Sequence, residues 1–146
     1  MENRFGFIPD PDNPGWFVRP ATKVGRFLDM FGAVRIRIEP DGRARIRVMP
    51  ELHHRNINDT VHGGFILALV DQALFLGSAA MGVQGAVGGA TIETATQFFG
   101  PLEATKPIDL LVELLRETGA MVFIRGLVEQ EGTNAVAFSG TFKKAR

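Results

Sequence analysis

Asn56, the pair Gly63-Gly64 and Asp71 fall within sixteen residues, and together they are the parts of an acyl-transfer site. Glycines at a helix start leave backbone N–H groups without intrahelical partners. Those groups and the helix dipole favour a negative oxygen, such as the one that forms when a carbonyl is attacked. A carboxylate set among apolar side chains is poorly solvated, which favours taking up a proton and suits it to act as a base. A loop amide such as Asn56 adds a donor for the same carbonyl or for a water.

Each residue also has a plainer reading. Asp71 could cap or pair with a neighbour, as buried Asp usually does. At helical spacing, however, it meets Leu67, Ala68, Leu74 and Phe75, so no local cation is at hand. Asn56 could serve only as a turn residue, and Asn58 competes with it for any larger role. His62 titrates near neutrality and could be a base. A hydrogen-bonding brace for the loop that carries Asn56 is the preferred reading. His53 and His54 are expected in an exposed loop. A metal cluster of His53, His54 and His62 is not favoured, because no carboxylate stands at a convincing ligand spacing, and no metal is expected.

These residues need elements to position them. The apolar run from Gly63 or Gly64 to about Met81 is expected to be a helix buried on all sides, not a membrane span, since Asp71 and Gln72 interrupt it. Val34, Ile36 and Ile38 alternate with Arg35, Arg37 and Glu39. Ala44, Ile46 and Val48 alternate with Arg43, Arg45 and Arg47, and Pro40-Asp41-Gly42 separates the runs. That pattern is a β-hairpin with one buried face and a solvated arginine face, in preference to a nucleic-acid patch. Gly82 to Gly89 is a glycine-rich loop without the pattern of a phosphate cradle. Strands are expected near 90–99, 107–117, 121–131 and 135–143, joined by short turns at Gly119 and Gly132-Thr133-Asn134. Residues 1–32 read as a proline-rich arm that packs Phe5, Phe7, Trp16 and Phe17 onto the surface. A short helix follows from Thr22 to Met30, with Val24, Phe27, Leu28 and Phe31 inward and Gly32 as its stop. The whole, 1–146, reads as one α+β domain: a central helix wrapped by one antiparallel sheet.

The pattern N-x(5)-H-G-G-x(6)-D, carried by Asn56, His62, Gly63, Gly64 and Asp71, resembles the hotdog-fold acyl-CoA thioesterases of the phenylacetate-degradation type. The resemblance covers roughly residues 33 to 143. It implies a hotdog fold, with hotdog dimers often pairing into tetramers. It implies that the N–H of Gly63 is the oxyanion donor and that Asn56 helps to bind the thioester carbonyl or position the water. His62 would orient the loop, and Gly64 would allow close approach. A hydroxyl residue about ten positions before the strand-ending proline is common in the family. With Pro101 in that place, Thr91 fills the role of orienting the water. Glu93 shares the parity of Thr91 along the strand and stands as a back-up carboxylate. One departure concerns Asp59, where the family often has glycine.

Composition narrows the remaining choices. Lys plus Arg equals Asp plus Glu, 16 each, which argues against a nucleic-acid or anionic-membrane partner. The absence of cysteine excludes disulfides and thiolate chemistry. Met1-Glu2-Asn3-Arg4 is polar and no apolar signal core follows, so a cytoplasmic protein is expected. The expected activity is hydrolysis of an acyl-CoA without a cofactor, with Asp71 as base or nucleophile. The substrate would meet His62, Gly64, Leu74, Phe75, Phe98 and Phe99. Lys143, Lys144 and Arg146 could reach the CoA phosphates, although a solvated basic tail explains them equally well. The rivals are a hotdog hydratase or dehydratase and a non-catalytic acyl-binding dimer. Gly63 and Asp71 lie eight residues apart on one helix, about 12 Å at 1.5 Å per residue. A single helix cannot bring both to one carbon, so two antiparallel copies in a two-fold dimer are expected to share each site.

Overall fold

The structure is a computed structural model that describes residues 5–146; the polar stretch Met1 to Arg4 lies outside the described residues. Its centre is one helix, α1 (Gly63–Ala80). The helix is long and apolar enough by composition to cross a membrane. Here its Phe65, Ile66, Leu69, Val70, Ala73, Leu74 and Leu76 are instead buried in the core against the sheet. Two glycines set how closely helix and sheet approach. A Cβ on Gly77 would lie 2.8 Å from Val112 Cγ1, and one on Gly140 would lie 2.6 Å from Leu74 Cδ1. Only hydrogen at these positions lets the two layers meet.

The sheet has eight antiparallel strands: β1 (Ile8–Pro9), β2 (Phe17–Arg19), β3 (Val34–Ile38), β4 (Ala44–Val48), β5 (Ala90–Phe98), β6 (Ile108–Glu117), β7 (Met121–Gln130) and β8 (Thr133–Lys143). They lie in the order β1-β2-β3-β4-β6-β7-β8-β5. Helix and sheet form the hotdog architecture. The predicted hairpin is β3–β4, in register Ile36↔Ile46. Three sequence expectations need correction. The last four strands are not a simple meander, because β5 pairs with β8 and the 99–107 connection carries the chain across to β4. The physical reason is burial. Ile108, Leu110 and Val112 of β6 are fully buried and demand a central place, whereas β5 is exposed along most of its length. The arm also adds two short strands to the sheet edge. Finally, the helix expected over 22–30 shrinks to a 3-10 turn, Phe27–Phe31. The Asp29 carboxylate accepts the backbone N–H groups of Gly25 and Arg26, the Thr22 hydroxyl and the Arg19 guanidinium, which fixes 22–26 outside a helix. Phe31 is buried as expected, but Val24 and Phe27 face solvent.

The arginine face is not simply solvated. Arg35 meets Asp10 at 2.7 Å, and Arg37 and Arg45 meet Glu39 at 2.6 and 2.9 Å. Arg45 also reaches Asp109 and Glu129, both at 2.7 Å, and Arg47 reaches Asp109 at 2.6 Å. Trp16 from the arm lies under the Arg37 and Arg47 guanidinium carbons, 4.5 and 4.9 Å from its ring centroid. Burial alone would lift the Asp109 carboxyl, yet the hydrogen bonds and charge of Arg47 and Arg45 hold it below the ordinary carboxylate range. The charges are matched on the sheet itself, which leaves no basic excess for a polyanion.

Candidate active site

The loop before α1 is organised by Asn56. Its Oδ1 accepts the N–H of Asn58 at 2.8 Å and of Thr60 at 3.2 Å, and its Nδ2 donates to Thr60 Oγ1 at 2.8 Å. This is turn chemistry, as the plainer reading held. An amide nitrogen has two hydrogens, however, so Nδ2 keeps one donor beyond the turn. The loop is tied down by Val61 N–H to Leu102 O, 3.0 Å, and by a bridge between Thr60 and Glu103. Asp59 adopts φ 57°, the left-handed conformation that glycine takes without cost. The departure from the family pattern therefore falls on a position whose backbone suits glycine, and Asp is among the few other residues that tolerate it. Replacing Asp59 with Gly should raise stability slightly, by about 0.5 kcal/mol, and Asp59→Val should lower it by about 1–2 kcal/mol. Urea denaturation of the two variants checks this.

Two histidines set the start of the helix. His62 is the N-cap of α1, and its Nδ1 accepts the Gly64 N–H at 2.9 Å. The next two amides, Phe65 and Ile66, both donate to His62 O. That leaves the Gly63 N–H as the one first-turn amide without an acceptor among the described residues, at the positive end of the helix. His62, expected to brace the loop that carries Asn56, braces the helix start with its side chain. Its own N–H donates to His54 O at 2.8 Å.

His54 is the residue that the sequence misplaced. It is 2% exposed, not part of an open loop. Its ring stacks on Phe65 with centroids 3.9 Å apart. Its Nδ1 accepts the Glu51 N–H at 2.9 Å, and its Nε2 donates to Met30 O at 2.5 Å. Burial keeps its pKa below the usual histidine value, so the ring is neutral. His54 joins the arm, the site loop and the first turn of α1. The side chains of Glu51, His53 and His54 do cluster. Both His54 nitrogens are already engaged, though, so it has no lone pair for a metal.

At the other end of the site, Thr91 Oγ1 donates to Asp71 Oδ1 at 2.7 Å. The Thr91 hydroxyl hydrogen is engaged in that bond, so the oxygen's remaining capacity is to accept. Asp71 Oδ2 is free of hydrogen bonds among the described residues. Asp71 is only half-buried by its own chain. Glu93 does not share this space. A β-bulge between Thr91 and Glu93 breaks the alternation: Thr91 pairs with Phe142, while Glu93 pairs with Thr141. Phe142 packs inward on Phe75, so Thr91 faces the helix and Glu93 faces away. The strand parity that suggested Glu93 was reset by the extra residue.

The expected substrate-contacting residues divide. Phe98 lies on the helix side of β5, its ring 3.8 Å from where a Gly63 Cβ would stand, and is 48% exposed. Phe75 is half-buried, with its ring 4.7 Å from that of Phe142. Phe99 is exposed beyond the strand end. Leu74 needs correction: it is fully buried against Gly140 and offers no surface to a ligand. Gly64 is exposed beside His62. Lys143 is exposed at the end of β8, opposite Ala90. Lys144 is paired with Glu117.

A central helix with a free N-terminal amide, wrapped by an antiparallel sheet that holds a threonine on the helix carboxylate, is the frame of a hotdog thioesterase. A family model described as the acyl-CoA thioesterase N-terminal domain matches residues 51–143, and the chain belongs to that family. It is a thioester hydrolase. Among solved structures it is similar to an Asn-to-Asp mutant of the phenylacetic acid degradation protein PaaI from Thermus thermophilus. The identity is 24%, over 82% of this chain and 98% of that one, with a TM-score of 0.67. Zebra fish thioesterase superfamily member 2 is similar at 16% identity, over 84% and 89% of the two chains, with a TM-score of 0.72. A hypothetical thioesterase with coenzyme A from Streptococcus pneumoniae is similar at 16%, over 77% and 85%, with a TM-score of 0.66. No curated protein sequence matches the chain significantly.

Proposed function

We propose that the protein hydrolyses acyl-CoA thioesters at two equivalent sites, each shared between the subunits of a two-fold dimer. The observation that carries this reading is the division of parts along α1. The unpartnered Gly63 amide sits at one end, and the Thr91–Asp71 pair sits eight residues further on, about 12 Å along the axis. The thioester oxygen must lie about 3 Å from the first, and the water that attacks its carbon about 3 Å from the second. An antiparallel second copy of the helix supplies what one chain lacks. The exposed apolar residues support the same pairing: Leu67 on α1 and Ile92 and Phe98 on the edge strand β5 are 48%, 59% and 48% exposed. An uncovered edge strand of this kind is a liability in a soluble monomer. Pairs of such dimers as tetramers, and a cytoplasmic setting, complete the proposal.

In the reaction, the thioester oxygen lies against the Gly63 N–H of one chain, with the spare Nδ2 hydrogen of Asn56 beside it. A water donates to Asp71 Oδ2 and Thr91 Oγ1 of the other chain, which turns its lone pair toward the carbonyl carbon. As the C–O bond forms, Asp71 takes the proton and the oxyanion gathers charge on the Gly63 amide. Collapse breaks the C–S bond. The proton held by Asp71 passes to the CoA sulfur, giving free acid and thiol. The CoA moiety runs over the surface, where exposed Lys143 can meet a phosphate.

A hotdog hydratase would instead act on the acyl double bond. Saturated acyl-CoAs separate the two. The protein should release free CoA from them, read by a thiol reagent. If it leaves them intact and interconverts enoyl- and hydroxyacyl-CoA, the thioesterase reading is wrong.

A further inference from the structure

The arm that precedes the family-matched region forms one wall of a half-open cavity of about 370 Å³ on the flank of α1, lined by Phe5, Arg19, Arg26, Leu28, Gln72 and Val87. Gln72 follows Asp71 directly, so it stands one residue and about 100° round the helix from the carboxylate, and the cavity borders the turn that presents Asp71. Its walls are of two kinds. Phe5, Leu28 and Val87 are apolar and suit methylenes. Arg26 and Gln72 are hydrogen-bond donors without a side-chain acceptor among the described residues, and Arg19 stands beside them. Arg19 gives Nη2 to Asp29 at 2.8 Å, and its Nη1, without an acceptor among the described residues, is sealed from the cavity as well as from bulk solvent. The Gln72 amide makes no hydrogen bond among the described residues, and there the Arg26 guanidinium has no carboxylate partner. Asp29 does not fill the need. It already accepts from Thr22, Arg19 and two backbone amides, and those bonds, the Thr22 hydroxyl first, hold its carboxyl at a pKa of about 2.

We propose that this cavity receives the far end of the acyl group and selects short acyl-CoAs whose chain ends in a carboxylate, held by Arg26 and Gln72. The inference rests on the thioesterase reading above and names its substrate class. The guanidinium fork matches a carboxylate in two-point contact, and the volume lies at the small end of ligand pockets, which fits a few methylenes and one carboxylate.

The test compares adipyl-CoA with hexanoyl-CoA, which have the same number of acyl carbons and differ in the terminal group. Binding of each to the Asp71→Asn protein is measured by calorimetry, so the result does not depend on turnover. Adipyl-CoA should bind at least about tenfold more tightly, the effect of one charge-assisted hydrogen bond. The advantage should fall toward unity in Asp71→Asn proteins that also carry Arg26→Gln or Gln72→Leu. Both second substitutions are at the cavity wall, and circular dichroism checks that each protein is folded. Arg19 is left in place because it anchors Asp29. Equal binding of the two thioesters, or an adipyl advantage that survives both substitutions, overturns the proposal. Absence of CoA release from either thioester by the unsubstituted protein would count against the thioesterase reading instead, while the binding comparison still decides the pocket.

Discussion

Asp71→Asn should lower kcat by about 100-fold or more while acyl-CoA binding persists, in line with what a general base contributes. The substitution is well matched to the site. An Asn side chain has the same size, and its Oδ1 can still accept the Thr91 hydroxyl that Asp71 accepts at 2.7 Å. Loop, helix start and strand should therefore stay in place. What disappears is the second oxygen and its ability to hold a proton between attack on the carbonyl and departure of sulfur. The Gly63 amide remains, so the residual rate reports the oxyanion site alone. Steady-state kinetics with thiol release, beside a binding isotherm for the same thioester, give the two readings needed. Hydrolysis within a few-fold of the unsubstituted rate would remove Asp71 from the chemistry.

The parts of this site that could be read in the sequence are those fixed by local rules. An apolar run of helical length gives α1, and alternation gives β3 and β4. The glycines after His62 predict a helix start with free amides, and the structure leaves one such amide unpartnered at Gly63. The unreadable parts depend on contacts distant in sequence or on a one-residue irregularity. The bulge between Thr91 and Glu93 reverses which residues of β5 face the helix, and nothing in Thr91-Ile92-Glu93 signals it. His54 looks like an exposed loop residue beside His53. Its burial depends on Phe65, eleven residues on, and on Met30, twenty-four residues back. Trp16 and Asp10 belong to an arm with little pattern, because strands of two and three residues carry no period, yet they close the arginine face. Asp59 is an intermediate case: comparison with the family pattern flagged it, and its positive φ explains why glycine is common there.

The proposed sharing of each site between two subunits leads to a complementation experiment with an equally large effect. Asn56→Ala and Asp71→Asn proteins, prepared separately, should each be nearly inactive. Under the two-fold arrangement Asn56 and Gly63 of one chain serve the same site as Asp71 and Thr91 of the other. A mixed dimer then collects both defects in one site and neither in the second. Random pairing of equal amounts makes half of the dimers mixed, and each of those has one intact site of two. Co-refolded mixtures should regain about a quarter of wild-type activity for symmetric pairing. If the exposed Leu67, Ile92 and Phe98 form the proposed dimer interface, exchange needs co-expression or co-refolding, since an apolar interface does not open readily. Tagged pull-down or native mass spectrometry establishes that mixed dimers have formed. Asn56 also holds the loop before α1 through its bonds to Asn58 and Thr60, so circular dichroism and thermal melts of each variant separate a loop defect from a lost site contact. If mixed dimers form and activity stays at the level of the single variants, Asn56 and Asp71 serve the same chain's site, and the division of labour along α1 must be bridged within one subunit.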